Sequence, residues 1–374
     1  ETGKRIRINP KHQLGEAPYR YNWQTPILLS PHNQDILYMG ANKLLRSMNQ
    51  GEDFEVISDD LTTGGKNGNV PYGTITTISE SPFQFGLIYT GTDDGYINVT
   101  KNSGVAWTKI SSTLPPNLWV SRVIASRHKK NRVYATLNGY RQDDFKPYVF
   151  MSEDFGNTWS SISSNLSNTA AVNVIKEDSF NEELLFIGTD NGTYASFNNG
   201  ISWEAFSEGL PNVAVHDLVI QEEAQDLLVG THGRSIYKAK ITSLQQHGKI
   251  GNKDLIVFDI KPIKSSRRWG MSWNQFYPAF EPELMIEYFS KNSDRLDIKI
   301  FSEKGTLLNK IPVSVDAGYN YTSYDLTITT TAKRELLTED PKSGVTEAQN
   351  GKIYLTKGTY TIDIGGETSI LKIK

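Results

Sequence analysis

The chain has 374 residues and a formal net charge of −3, so no overall charge draws it toward nucleic acid. It contains no cysteine, which removes disulfides, thiolate metal sites and cysteine nucleophiles. No apolar run reaches the ~18 residues that a transmembrane helix needs, so no membrane insertion is expected. That length admits one to three domains. The abundance of Tyr, Asn, Ser, Thr and Gly suits a turn-rich, all-β protein.

Residues 1–22 are basic and polar (KRIRINPKHQ), then aromatic at Tyr19 and Tyr21; they read as an extended lead-in arm or a leftover strand. From 23 to 245 short apolar runs repeat. The first set is ILLSP, ILYMGA, LLRSM and FEVIS, followed by a Gly- and Asn-rich loop at 59–73. The second set is TITTISESP and LIYTGTDDGYINVT. The third starts at WVSRVIASRH and carries an insertion, ATLNGYRQDDFKPYVFMS. The fourth runs from AAVNVIKED through LFIGTDNGTYAS, and the fifth is VHDLVIQEEAQDLLVGTHGRSIYKAKI. The second strand of four sets closes on a glycine, at Gly40, Gly91, Gly188 and Gly230, where a small residue lets neighbouring sheets approach. Residues 246–280 read as a linker with a basic run from Lys264 to Arg268 and an aromatic group, Trp269, Trp273, Phe276, Tyr277 and Phe280. That group fits either an interdomain seam or a sugar-stacking platform. DLIVFDIKP (254–262) is strand-like and suits either closure of the repeats or the first strand of the C-terminal domain. From 281 to 374 six or seven alternating strands predict a small β-sandwich of Ig or fibronectin type, with 329–350 a mobile polar loop that could hold a short helix.

One eight-residue box punctuates the repeats. SEDFGNTW (152–159) is matched by SMNQGEDF (47–54), TKNSGVAW (100–107) and SFNNGISW (196–203). The starts lie at 47, 100, 152 and 196, so the spacings are 53, 52 and 44 residues, the mark of a repeat architecture. Each box lies between β-rich runs and predicts a hairpin turn. Ser47, Thr100, Ser152 and Ser196 offer hydroxyls. Asn49, Asn102, Asp154 and Asn198 can fold a side-chain oxygen onto the backbone. Gly51, Gly104, Gly156 and Gly200 can take positive φ. Phe54, Trp107, Trp159 and Trp203 supply an apolar plate. Three of the four acidic positions are Asn, so the box is a turn staple rather than a catalytic carboxylate.

These four boxes resemble the Asp-box (BNR) repeats of sialidases, sortilin-type receptors and two-propeller xyloglucanases. The resemblance covers about residues 20–245. It implies a β-propeller whose boxes join the outer two strands of each four-stranded blade, with five blades in this chain. The whole is also similar to secreted Bacteroidota repeat proteins labelled glycosyl hydrolase or sortilin-like. That likeness implies an extracytoplasmic bacterial location. Either the five blades close on themselves or they belong to a larger ring; the likeness favours the second, with further blades supplied by an N-terminal part of the same protein or by another chain.

Glycoside hydrolysis needs two carboxyl groups about 5–5.5 Å or 6.5–9.5 Å apart. Candidates are Asp93 and Asp94, Asp190, and the pair Asp143 and Asp144, although Asp-Gly and Asp-Asn-Gly are also ordinary tight turns. YRQDDFKPY brings Tyr140 and Arg141 beside the last pair and suits either a ligand loop or a contact to another blade. Trp119 joins these as a binding candidate. His232 and Arg234 stand in THGRS, where Arg could clamp a carboxylate or phosphate; a closing-blade salt bridge or a simple turn explains them as well. His216 and Arg122 begin first strands and could face a central channel. The sialidase Phe-Arg-Ile-Pro motif is absent. No metal-binding spacing and no phosphate loop appears, so no cofactor is expected. The favoured expectation is a binding module that presents a propeller face to protein or glycan. The alternatives are part of a xyloglucanase-like glycoside hydrolase and a sortilin-like peptide binder.

Overall fold

The computed structural model describes residues 8, 10–66, 72–274, 276–341 and 344–374. Residues 1–7 and 9 of the lead-in arm, the middle of the 59–73 loop, Gln275 and 342–343 lie outside the described residues. The chain divides into two compact units, Glu1–Ile241 and Thr242–Lys374.

The first unit is a run of antiparallel meanders. Blade one holds β1 (Ile27–Leu29), β2 (Leu37–Gly40), β3 (Leu44–Ser47) and β4 (Glu55–Val56). Blade two holds β5 (Ile75–Glu80), β6 (Ile88–Thr92), β7 (Ile97–Thr100) and β8 (Thr108–Lys109). Blade three holds β9 (Trp119–Ala125), β10 (Val133–Gly139), β11 (Asp144–Ser152) and β12 (Ser160–Ser161). Blade four holds β13 (Val172–Glu177), β14 (Leu185–Thr189), β15 (Gly192–Ser196) and β16 (Glu204–Ala205). Blade five stops at three strands, β17 (Val215–Gln221), β18 (Asp226–Thr231) and β19 (Ile236–Lys240).

Successive first strands lie side by side around a common axis. Thr76 Oγ1 donates to the Val120 carbonyl at 2.7 Å, and Ser121 Oγ, its equivalent one blade on, donates to the Val172 carbonyl at 2.9 Å. Arg122 of blade three then reaches Asp217 of blade five at 2.7 Å, and Arg127 reaches Glu222. Stacked sheets lie about 10 Å apart, so a linear pile would hold those blades about 20 Å apart. The side chains meet because the sheets fan about a hub, as a β-propeller requires.

The boxes clip the outer edges. The hydroxyls of Ser47, Thr100, Ser152 and Ser196 accept from the amides of Gly51, Gly104, Gly156 and Gly200 at 2.8, 3.0, 2.8 and 2.8 Å. Each hydroxyl donates to the side-chain oxygen two residues on, in Asn49, Asn102, Asp154 and Asn198, at 2.8–2.9 Å. That oxygen accepts an amide four residues further along, from Asp53, Ala106, Thr158 and Ser202. Only an oxygen is needed there, so Asn serves as well as Asp. The box glycines have φ between 83° and 96°, each following a residue that is itself left-handed. The indoles of Trp107, Trp159 and Trp203 donate to the carbonyls of Ile57, Ile110 and Ile162 in the preceding blade, at 2.8, 2.8 and 2.6 Å. The same isoleucines cover the glycines: a Cβ on Gly104, Gly156 or Gly200 would collide with Ile57, Ile110 or Ile162.

A second fastening runs deeper. Tyr38, Tyr89, Tyr134 and Phe186 occupy one position in β2, β6, β10 and β14 and are fully buried. Tyr38 and Ser30 donate to Glu80 of the next blade at 3.0 and 2.6 Å, and Tyr134 and Ser126 donate to Glu177 at 3.1 and 2.8 Å. Burial first, and then the facing carboxylate, pushes both phenols well above their ordinary range. Between blades two and three Ala125 replaces the acid, and the buried Tyr89 hydroxyl has no partner.

In the second unit a short α1 (Thr242–Gln245) precedes β20 (Leu255–Val257), β21 (Leu284–Ser290), β22 (Asp294–Ser302), β23 (Leu307–Val315), β24 (Gly318–Tyr324), α2 (Thr330–Glu339), β25 (Gly358–Ile364) and β26 (Glu367–Ile373). Sheets ordered β20-β21-β24 and β23-β22-β25-β26 share one core that includes Ile286, Tyr288, Ile298, Ile300, Ile362 and Leu371. One expectation changes here. The stretch 246–280 is part of this unit rather than a linker, because DLIVFDIKP supplies β20 and Trp269 packs in the core against Tyr354. The rest of its aromatic group, Trp273, Phe276, Tyr277 and Phe280, is exposed. The polar stretch 329–350 holds a ten-residue helix, capped by the Thr329 side chain on Ala332 N at 3.1 Å. With Ala332 as its one buried residue, that helix has almost no apolar stripe to read.

A Gly104→Ala substitution combines a left-handed backbone with a blocked Cβ, and should cost roughly 2–4 kcal/mol. Gly209 has φ +74° and open space around its Cβ, so Gly209→Ala should cost about 1 kcal/mol. Urea midpoints followed by tryptophan fluorescence test the difference; equal losses would mean that the box glycine is not selected for contact with the previous blade.

Candidate functional site

In an antiparallel meander, the turn between second and third strands and the link to the next blade fall at the same end of the sheet. The amides of Asp93, Asp190 and His232 accordingly donate to the carbonyls of Thr74, Ala171 and Ala214, tying each turn to the incoming link. This end of the first unit therefore carries Asp93, Asp94, Tyr140 to Asp144, Asp190, His232 and Arg234, with Trp119 at the start of β9. They form one rim and differ in what they are free to do.

Asp93 and Asp94 are buried and committed. Asp93 accepts from the amides of Tyr72 and Thr74 at 2.7 and 2.8 Å. Asp94 accepts from the amide and hydroxyl of Thr63 at 2.8 and 2.7 Å and from Thr92 Oγ1 at 2.5 Å. Together they hold both described ends of the 59–73 loop. Arg20 adds a further tether, binding Asp60 at 2.6 Å and the carbonyls of Tyr72 and Gly73. Desolvation would raise the Asp60 pKa, but its bonds to Thr62, Arg20 and Asn42 outweigh that and hold it below the usual range.

The blade-three insertion is less loop than its sequence predicts. β10 and β11 extend to seven and nine residues, and a single 3-10 turn, Tyr140–Gln142, joins them. Asp143 takes φ 54° to close that turn. Asp144 accepts from Tyr148 OH at 2.7 Å and from Lys146 N, and these bonds hold its carboxyl below the ordinary range. Partial burial, then the bond to Asp144, pushes the Tyr148 phenol up to about 12. Arg141 lies over the Trp119 ring at 4.5 Å, and Gln142 donates to the Asn117 carbonyl. Tyr140 and Phe145 meet edge to face at 6.0 Å and are 62% and 40% exposed. The result is a pinned corner that shows two aromatic rings and a guanidinium to solvent.

Asp190 accepts from Asn173 at 2.9 Å, and Asn173 in turn accepts from Asn138 of blade three at 2.8 Å. His216 and His232 stand 5.4 Å apart, ring centre to ring centre. Partial burial first, and then His232, pulls the His216 pKa down, with Asp190 opposing. Arg234 is exposed. Arg122 faces inward but spends its charge on Asp217. Among the described residues no group of three or more His, Asp or Glu is arranged to hold a metal ion.

Two features escape a reading of single motifs. Lys176 lies in a cluster with Arg122, Arg127, Asp217 and Glu222; burial, then the two arginines, lowers its pKa while the two acids oppose. The Tyr–Glu fastenings were signalled only by a glutamate closing the first strand in alternate blades, ISE (78–80) and IKE (175–177).

No family model matches the sequence, and no curated protein matches it. Among solved structures, the GH74 xyloglucanase from Xanthomonas campestris is similar over 95% of this chain and 55% of its own, at 11% identity and a TM-score of 0.47. The GH74 enzyme of Niastella koreensis is similar over 94% and 54%, at 12% identity and a TM-score of 0.47. YCF48 bound to D1 peptide is similar over 58% and 65%, at 11% identity and a TM-score of 0.40. The chain thus spans about half the length of the GH74 structures it matches. These scores are low, and the blade assignment rests on the sheets and their contacts.

Replacing Asp94 by Ala removes all three of its bonds and should free residues 59–66. Limited proteolysis should then cut there at least tenfold faster than in the parent chain, with the blade hairpins still protected; an unchanged rate would show that Arg20 and Asp93 suffice. For His216, a folded pKa below the unfolded value (about 6.5) means that the unfolded chain binds the proton first. Stability therefore rises with pH through that window and is lost as pH falls below about 6.5. An NMR titration should show His216 below the ordinary histidine range and moving back up in His232→Gln.

Proposed function

We propose that the first unit is a binding module that recognises a protein or glycan through the loop rim, and that it is not itself a complete enzyme. The observation that carries this is the blade-three corner. Tyr140, Arg141 and Phe145 are exposed on a hairpin fixed by Trp119, Asn117 and the Asp144–Tyr148 bond. Exposed aromatic and arginine side chains on a rigid frame lose little entropy on binding and suit recognition. The carboxylates first considered for catalysis support the same reading, since Asp93, Asp94 and Asp144 already serve as acceptors for neighbouring groups. The second unit, in this reading, is an Ig-like tail. The Asp-box resemblance supports an extracytoplasmic bacterial setting; among the described residues no helix is long and apolar enough to cross a membrane. The blades would belong to a larger ring, completed by an N-terminal part of the same protein or by another chain.

A panel of insoluble polysaccharides and immobilised cell-surface proteins from the native source provides the test. Retention by at least one of them should drop tenfold or more in the double variant Tyr140→Ala, Arg141→Ala, without a shift in the unfolding midpoint. Retention that is unaffected would sink the rim reading. Release of reducing sugar from xyloglucan by the chain itself would favour the glycoside hydrolase alternative.

A further inference from the structure

Resting on the reading that the blades belong to a larger ring, we infer that blade one and blade five expose the two unmatched halves of one repeated inter-blade interface. Each half takes a further Asp-box blade from polypeptide outside residues 1–374. Three independent sets of contacts lead there.

The trailing side of each blade is defined by the second-strand glycine. A Cβ on Gly40, Gly91 or Gly188 would collide with Ile75, Val120 or Val215 of the next blade. A Cβ on Gly230 would meet only Asp217 of its own blade, at 3.5 Å. The strands β2, β6 and β14 are buried throughout, whereas Leu228, Gly230 and Thr231 in β18 are half-exposed.

The leading side is defined by the last residue of the first strand that faces the previous blade. Glu80, Ala125, Glu177 and Ile220 hold that place and are 5%, 7%, 1% and 8% exposed. Their equivalent in blade one is Leu29, at 60%. Two residues earlier, Val123, Ile175 and Leu218 are 0%, 1% and 3% exposed and Ile78 is half-buried, while Ile27 is 54%. Apolar side chains at these places, exposed only in blade one, call for a partner of blade shape.

The third set identifies the partner as a blade. Ile57, Ile110 and Ile162 each cover the box glycine of the following blade, and Ile8 covers Gly51 in the same way. Ile8 thus stands where the residue that follows the fourth strand of a preceding blade would stand. Blade five shows the converse. Tyr194 and Ala195 of β15 pair with Ala205 and Glu204 of β16, but their equivalents Tyr237 and Lys238 in β19 face an open edge, with Ile236 72% exposed. At the other end β19 has no fourth strand on its outer edge. An added strand would satisfy both the free backbone groups and the register of β19.

The test uses the full chain in its native source, with the photo-reactive residue p-benzoylphenylalanine at position 29, at position 236, or at position 105 as control. Val105 is 85% exposed in the blade-two box. Positions 29 and 236 should cross-link at least tenfold more than 105, to polypeptide outside this sequence that carries Ser/Thr-x-Asp/Asn-x-Gly-x-x-Trp repeats. Adducts to a second copy of this chain, to a protein without that repeat, or no more frequent than at 105 would overturn the inference. The exposed-site variants Leu29→Asp and Ile236→Asp give a second readout, since they should leave the isolated chain folded but cut co-purification of the repeat-bearing partner tenfold; unchanged co-purification also overturns it. Tyr140→Ala should leave all adducts intact, so failure of the rim reading and failure of this one are told apart.

Discussion

The first unit depends on a contact that no blade can make alone. A box hydroxyl gathers the glycine amide and the side-chain oxygen of its own turn, and the turn then presses its glycine and indole onto an isoleucine of the blade before. Two or three hydrogen bonds at about 1 kcal/mol each would not hold a sheet. Their effect is to fix a hairpin so tightly that the indole N–H reaches one particular carbonyl, Ile57, Ile110 or Ile162. Burial of the indole, worth about 1.5–3 kcal/mol for a large side chain, is then directed to the neighbouring blade. Local turn chemistry becomes the glue between sheets, and the angle between sheets is set by it.

Charge is distributed on the same logic. The buried acids Glu80 and Glu177 are each met by a Tyr and a Ser of the blade before. Where the acid is Ala125 the tyrosine hydroxyl is left unpartnered, and where the tyrosine is Phe186 the opposing residue is Ile220. The interfaces are thus of mixed type, polar in two cases and apolar in another, and a blade cannot be exchanged for its neighbour without leaving a buried group unmatched. On the rim, acids instead hold loops, which is why Asp93 and Asp94 sit beneath the surface and not at a cleft.

Much of this was legible in the sequence because it is local. The box residues act within eight positions, so their types and offsets carry the whole message; the repeat and the all-β class follow from them. The same locality explains why 329–350 read mainly as a loop, since a helix held by one cap, one buried alanine and the half-buried Leu336 leaves little periodic trace. It also explains why Asp143 and Asp144 invited a catalytic reading: two adjacent acids look alike in sequence, and only the fold shows that one closes a turn while the other holds Tyr148. Arg122 and Asp217 are 95 positions apart, and nothing short of the curvature of the unit brings them together. Lys176 is hidden for the same reason, an ordinary lysine in a first strand until four charges from two other blades converge on it.

A repeat protein built this way has a property that a single-core domain lacks. Each interface is complete only when both blades are present, so the ends of any run of blades are necessarily raw. Soluble repeat arrays protect such ends with polar caps or by closing on themselves. Here Leu29 and Ile27 at one end, and the open β19 edge with Ile236 at the other, carry neither protection, although β19 does hold Lys238 and Lys240 against Asp226. Lysines on an edge oppose indiscriminate strand pairing, yet they leave the backbone free to pair with a partner that fits. Ile8 shows what a fitting partner looks like, because it occupies the slot that Ile57 fills one blade later. The kinds of side chain that make the internal interfaces specific are those that stand exposed at Ile27, Leu29 and Ile236, so the specificity of the interfaces and the proposal of a further blade have one physical origin.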